Sequence, residues 1–176
     1  MATDLAAFVD AFRRIDLPDR PPAYPGERRT RAPMAAMDSS TRKAIGQLDG
    51  LIDTRAALAS WEESFAAPYD GREVLVHSDL TPSNLLVSAE GGLTAVRDFE
   101  TCGVGDPAYD PFPVWYLLPA NVRDEFRAAL DVDDATWLRG RVLSQALIVL
   151  AHHKDTNPTL ANDARHAIGE VLATPG

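Results

Sequence analysis

The chain has 176 residues, 45% of them apolar and 24% charged, with a formal charge of −9. That suffices for one domain with a hydrophobic core and excludes a disordered chain. There is no clustered base for nucleic acid, no apolar run of bilayer length, no signal-peptide pattern at the N-terminus and only one cysteine, so the expected setting is the cytoplasm, without membrane, nucleic acid or disulfides.

Leu5, Phe8, Val9, Phe12 and Ile15 recur at spacings of three and four, which predicts a helix over 3–15 with Thr3 or Asp4 as its cap. Asp16 to Pro33 holds five prolines and reads as an irregular surface segment, with Arg28, Arg29 and Arg31 solvated. Ala44, Ile45, Leu48, Leu51 and Ile52 form one apolar stripe, and Leu58, Trp61 and Phe65 a second. They predict two helices between Ser39 and Phe65, broken at Gly50. Glu73 to His77 is valine-rich and predicts a buried strand. Asn84–Val87 and Leu93–Val96, joined across Gly91 and Gly92, predict a hairpin.

Asp106 before Pro107 is the usual order of a helix cap and first helical residue. Pro111 and Pro113 should shorten or displace the helix that follows. Val122–Leu130, Ala135–His152 and Pro158–Leu172 are the remaining predicted helices, and Trp61, Trp115 and Trp137 are expected in the core. His152 and His153 are helical neighbours about 100° apart, so they make no paired metal site, and Cys102 is expected to pack. The fold class expected is mainly α with a small β hairpin (α+β), in one domain over 1–176.

The segment from Val76 to Asp110, VHSDLTPSNLLVSAEGGLTAVRDFETCGVGDPAYD, carries the chemistry. His77-x-Asp79 is followed, after four residues, by Asn84, and Asp98-Phe99 comes after the predicted hairpin. This is the kinase order of a catalytic loop and a metal-binding Asp-Phe. Phosphoryl transfer to a hydroxyl needs a carboxylate to take the hydroxyl proton and oxygen ligands for Mg²⁺ on the ATP phosphates. A strand end delivers His77 and Asp79, and the hairpin brings Asn84 and Asp98 to one mouth. Asp79 is then the base, Asn84 and Asp98 hold the metal, and His77 braces the loop.

VHSDLTPSNLLV, AVRDFE and GVGDPAYD, with the opening helix and the run SQALIVLAHHKDTNP, resemble the C-terminal lobe of the aminoglycoside phosphotransferase family of small-molecule kinases. The resemblance implies a protein-kinase-like fold and γ-phosphate transfer from ATP, with Mg²⁺, to the hydroxyl of an aminoglycoside, macrolide, choline-like alcohol or sugar. It implies mainly structural roles for Asp106 and Asp110. It divides the chain into a lead-in over 1–70, the catalytic loop and hairpin over 71–110, and a helical tail over 111–176.

The sequence departs from the family pattern at Ser78, where glycine is usual, and at Arg97, where an apolar residue is usual. Arg97 either pairs with Asp98, competing with Mg²⁺, or points to solvent. The family's N-terminal lobe, with its phosphate-binding strand lysine, is expected to be absent. Only about seventy helix-and-loop residues precede the predicted strand, and Lys43 and Lys154 lie in no strand context. The ATP site is thus expected to be incomplete and the isolated chain weak or inactive. The alternatives are a non-catalytic remnant, or one half of a split kinase acting as a binding module. Apolar surface left by the absent lobe predicts self-association or a chain that supplies that lobe.

Overall fold

The computed structural model describes residues 1–16, 34–111, 114–141 and 143–174. The arginine cluster, Pro113 and nearly all of the expected irregular segment lie outside them. Helix α1 spans Ala2–Arg13 and buries Leu5, Ala6 and Val9. Met1 is its N-cap, ahead of the expected start, so neither Thr3 nor Asp4 caps it. Thr3 donates instead to Glu125 at 2.9 Å, and Asp4 accepts the Leu93 N–H at 3.1 Å, fastening the later hairpin to α1. That amide, and then the N-terminal ammonium, hold the Asp4 carboxyl below the usual carboxylate range.

Helices α2 (Met34–Gln47) and α3 (Thr54–Ala66) flank Gly50, whose φ of +76° suits glycine. Asp53 caps α3 through the Ala56 N–H at 2.9 Å. Trp61 is fully buried, and its indole N–H donates to Asp38 at 2.8 Å, tying α3 to α2. Leu51 and Phe65, expected in the buried stripes, are exposed. Leu51 falls in the interhelix turn, and Phe65, in the last turn of α3, only rests on Trp61 at 5.9 Å.

Strand β1 (Val74–Val76) pairs antiparallel with β4 (Gly103–Gly105), Val76 opposite Gly103. Strands β2 (Leu85–Val87) and β3 (Leu93–Val96) form the expected hairpin, Leu85 opposite Val96. Asn84 is not in the strand but ends a 3-10 turn, Pro82–Asn84. After Asp106 the helix is reduced to a 3-10 turn, Pro107–Tyr109, as the prolines suggested.

Helices α4 (Val114–Leu117), α5 (Ala120–Leu130), α6 (Asp134–Gly140), α7 (Leu143–His153) and α8 (Pro158–Ala173) complete the chain. The single helix expected over Ala135–His152 is broken. Gly140 presses on the Pro107–Tyr109 turn so closely that a Cβ there would meet the Ala108 carbonyl oxygen at 3.2 Å. Arg141, buried, turns inward to the carbonyls of Val171 and Thr174. α7 lies along α8 and α2, and α1 along α5, around a core that includes Leu5, Leu48, Trp115, Phe126, Leu147 and Ile168. Trp137 is half-buried at its edge. Among the described residues no helix is long and apolar enough to cross a membrane.

Candidate active site

β1 runs into His77 and the chain turns at Ser78, whose φ is +62°. L-residues other than glycine pay a steric penalty in that region, so the turn needs outside support. Asp110, almost fully buried, supplies it: one carboxylate oxygen accepts the N–H groups of both His77 and Ser78, each at 3.0 Å. The Ser78 hydroxyl reaches the carbonyls of His77 at 2.7 Å and Thr101 at 2.9 Å.

His77 has no exposed surface. Its Nδ1 accepts the Asp79 N–H at 3.3 Å, so Nε2 carries the proton and donates to the Arg97 carbonyl, 3.2 Å away. The ring meets Phe99 edge-on at 4.9 Å, with Phe8 and Phe12 beyond. Both nitrogens are committed to main chain, which leaves a brace between two loops.

Asn84 is 6% exposed, and its amide nitrogen donates to the main-chain oxygen and the carboxylate of Asp79, both at 2.9 Å. The Arg97 N–H bonds the Asn84 carbonyl at 3.0 Å, extending the β2–β3 ladder by one rung. Asp98, the next residue, therefore leaves the hairpin at the end where Asn84 enters it. Asp98 has φ +62° and ψ +72°, is exposed, and its side chain makes no cap hydrogen bond to the Phe99–Thr101 turn that it opens. Arg97 follows neither expected course: its guanidinium donates to the Ser83 carbonyl at 2.9 and 3.2 Å. That contact ties the Arg97 side chain across the hairpin to the turn before Asn84.

Asp106 stands apart. It caps the Pro107–Tyr109 turn through Ala108 N–H at 2.9 Å and grips Arg139 of α6, with nitrogen–oxygen distances of 2.8 and 3.1 Å. Arg139 also donates to the Pro68 carbonyl and lies over the Tyr69 ring. Arg13 of α1 donates to the Pro107 carbonyl. Burial pulls its pKa down, against the opposing charge of Asp110.

Sequence reasoning missed these arginines, the Thr101 hydroxyl and Tyr116. α4 was not expected, so nothing flagged Tyr116. Burial pushes its phenol up, and the charges of Asp163 on α8 and of Asp79 add to the shift. Lys154 binds the Gln47 carbonyl at 3.2 Å, and Lys43 is exposed on α2, so neither comes from a strand.

Mg²⁺ takes hard oxygen ligands and commonly keeps only one or two protein groups, filling its octahedron with phosphates and water. The chain's chemistry fits that pattern. With the Asn84 amide nitrogen committed to Asp79, its carbonyl oxygen is the atom left for a cation, and Asp98, exposed where the hairpin ends, offers a hard carboxylate. Among the described residues no cluster of three or more His, Cys, Asp or Glu side chains makes a metal cage.

The described residues, mainly helical with two small antiparallel sheets and with this order of residues around them, fit the kinase-like class of phosphotransferases. Residues 1–143 match the sequence profile of the phosphotransferase enzyme family, and the chain belongs to that family. No curated protein matches the sequence.

Solved structures show the same fold. The gentamicin complex of APH(2")-IIa is 17% identical with a TM-score of 0.55, over 99% of this chain and 62% of that one. The ADP-bound aminoglycoside phosphotransferase APH(2'')-Ib is 15% identical with a TM-score of 0.57, over 97% of this chain and 62% of that one. The macrolide 2'-phosphotransferase MphH from Brachybacterium faecium is 21% identical with a TM-score of 0.56, over 99% and 61%. The chain thus spans less than two thirds of the length of these proteins.

Proposed function

We propose that this chain is the C-terminal lobe of a small-molecule kinase that moves the γ-phosphate of ATP to a hydroxyl, with Asp79 as base and Asn84 and Asp98 as Mg²⁺ ligands. The observation that carries the reading is the pair of 2.9 Å hydrogen bonds from Asn84 to Asp79, made at the hairpin end from which Asp98 emerges. One Asp79 oxygen is held by Asn84, which turns the carboxylate so that it can accept the hydroxyl proton as the oxygen attacks phosphorus. His77 and Asp110 keep the Asp79 turn in place through its main chain. Mg²⁺, when bound, neutralises charge on the phosphates being transferred. Such catalysis is mostly positioning and electrostatics, so rigid bracing of the loop matters as much as the carboxylate.

The related structures were solved with gentamicin or ADP, or act on macrolides, which supports ATP and an aminoglycoside or macrolide hydroxyl as the substrates. The net charge of −9 favours a cationic acceptor by steering. Leu86, Val87 and Phe99, in the hairpin and the turn after Asp98, are 46%, 47% and 47% exposed. This apolar surface supports a second lobe, in the same protein or on another chain, as the other wall of the nucleotide site. In this reading the chain acts as one domain, with loop and hairpin over 71–110 between a lead-in over 1–70 and a tail over 111–176. On its own it transfers phosphate slowly or not at all.

The test is transfer from radiolabelled ATP to a panel of aminoglycosides and macrolides, using the chain with a separately supplied N-terminal lobe. Transfer that disappears in Asp79→Ala supports the reading. A folded two-part complex that transfers nothing would leave the chain as a non-catalytic binding module.

A further inference from the structure

The turn at Ser78 poses a question that Asp110 does not answer. Asp110 satisfies the His77 and Ser78 amides whatever side chain stands at 78. Glycine would adopt the φ of +62° freely, yet the residue is serine. Its hydroxyl proton is shared between the carbonyls of His77 at 2.7 Å and Thr101 at 2.9 Å. The Thr101 hydroxyl returns the contact, donating to the His77 carbonyl at 3.0 Å. These bonds join two turns that are 23 and 24 residues apart in sequence. One turn leads into Asp79. The other is the Phe99–Thr101 turn that Asp98 opens, also from a left-handed residue.

We propose that Ser78 and Thr101 are positioning residues whose hydroxyls clasp these turns together and set the spacing between Asp79 and Asp98. The clasp stands on its own geometry; its catalytic meaning rests on the function proposed above. A side chain held in an unfavourable backbone conformation by its own hydroxyl separates two effects. Replacing it with glycine relaxes the backbone while loosening the site, so stability and site geometry move in opposite directions. A hydroxyl that serves only the fold moves both the same way.

The experiment uses the full chain with Ser78→Gly, Thr101→Val and Thr101→Ser. Hydrogen exchange of the Asp79 and Cys102 amides is followed by NMR, together with thermal melting and the line broadening caused by Mn²⁺. Ser78→Gly should melt at or above the parent's temperature while these amides exchange several-fold faster and Mn²⁺ affinity drops several-fold. Thr101→Val should loosen the same amides, and Thr101→Ser, which keeps the hydroxyl, should restore them. Parent-like exchange in both Ser78→Gly and Thr101→Val overturns the clasp. If Mn²⁺ broadens nothing even in the parent, the metal part of the proposed function fails, and exchange alone decides the clasp.

Discussion

Around Trp61, Trp115 and Phe126 the chain is held by apolar side chains that exclude water, each almost completely buried. Around His77 and Asp79 it is held by polar side chains aimed at main chain: Asp110 on two amides, His77 between an amide and a carbonyl, and Asn84 on the Asp79 carbonyl. The first kind of order is redundant and graded, because many contacts share the load. The second is specific, because each bond fixes one group. Damage to the helical body should therefore appear as lost stability, and damage to the loop as lost geometry with the fold intact.

The sharpest way to break the contrast is from the core. Trp61→Ala removes a fully buried ring and its hydrogen bond to Asp38, and should cost about 3–5 kcal/mol in urea unfolding. Near the site the largest stability effect belongs to the buried Arg139–Asp106 pair. Arg139→Ala leaves Asp106 unpaired and should cost about 3 kcal/mol, and adding Asp106→Asn should recover part of that loss. Full additivity of the two changes in a double-mutant cycle would show that the pair is not coupled.

Asn84→Ala belongs to the other side of the comparison. It should cost only about 1 kcal/mol of stability, yet lower phosphate transfer in the two-lobe assay about a hundredfold. A proportionate loss in both would erase the distinction drawn between body and loop.

The smallest effect concerns pH. The Trp61 indole, and then Arg42, hold the Asp38 carboxyl below the usual carboxylate range. A depressed carboxyl stabilises the fold above its unfolded pKa of about 4, and that contribution fades as pH falls through the lower folded value. Asp38→Asn should therefore lose less stability than the parent on acidification below about pH 4, as read from urea midpoints. Identical acid limbs would remove Asp38 from the account.

The helical body was largely legible because burial repeats at helical spacing. It failed where context intervened, as at the break between α6 and α7, where Gly140 meets the Pro107–Tyr109 turn and Arg141 reaches α8. Strand β4 escaped notice because two of its three residues are glycine. The approach of Asn84 to Asp79 was legible in the four-residue spacing between them, and the hairpin that ends before Asp98 in its glycine-joined strands. Their braces were not. Arg139 lies 33 residues from Asp106, and Thr101 lies 24 from His77, and no local pattern announces a bond across such distances. Nor does any local pattern announce the bond from Arg97 to the Ser83 carbonyl across the hairpin.

In the proposed function Asn84 and Asp98 present oxygen to one cation beside Asp79. Calorimetric titration of the chain with Mg²⁺ or Mn²⁺ tests it most directly, comparing the parent with Asp98→Ala. Weak binding heat is expected in the parent and none in the variant. The same heat in both would contradict it.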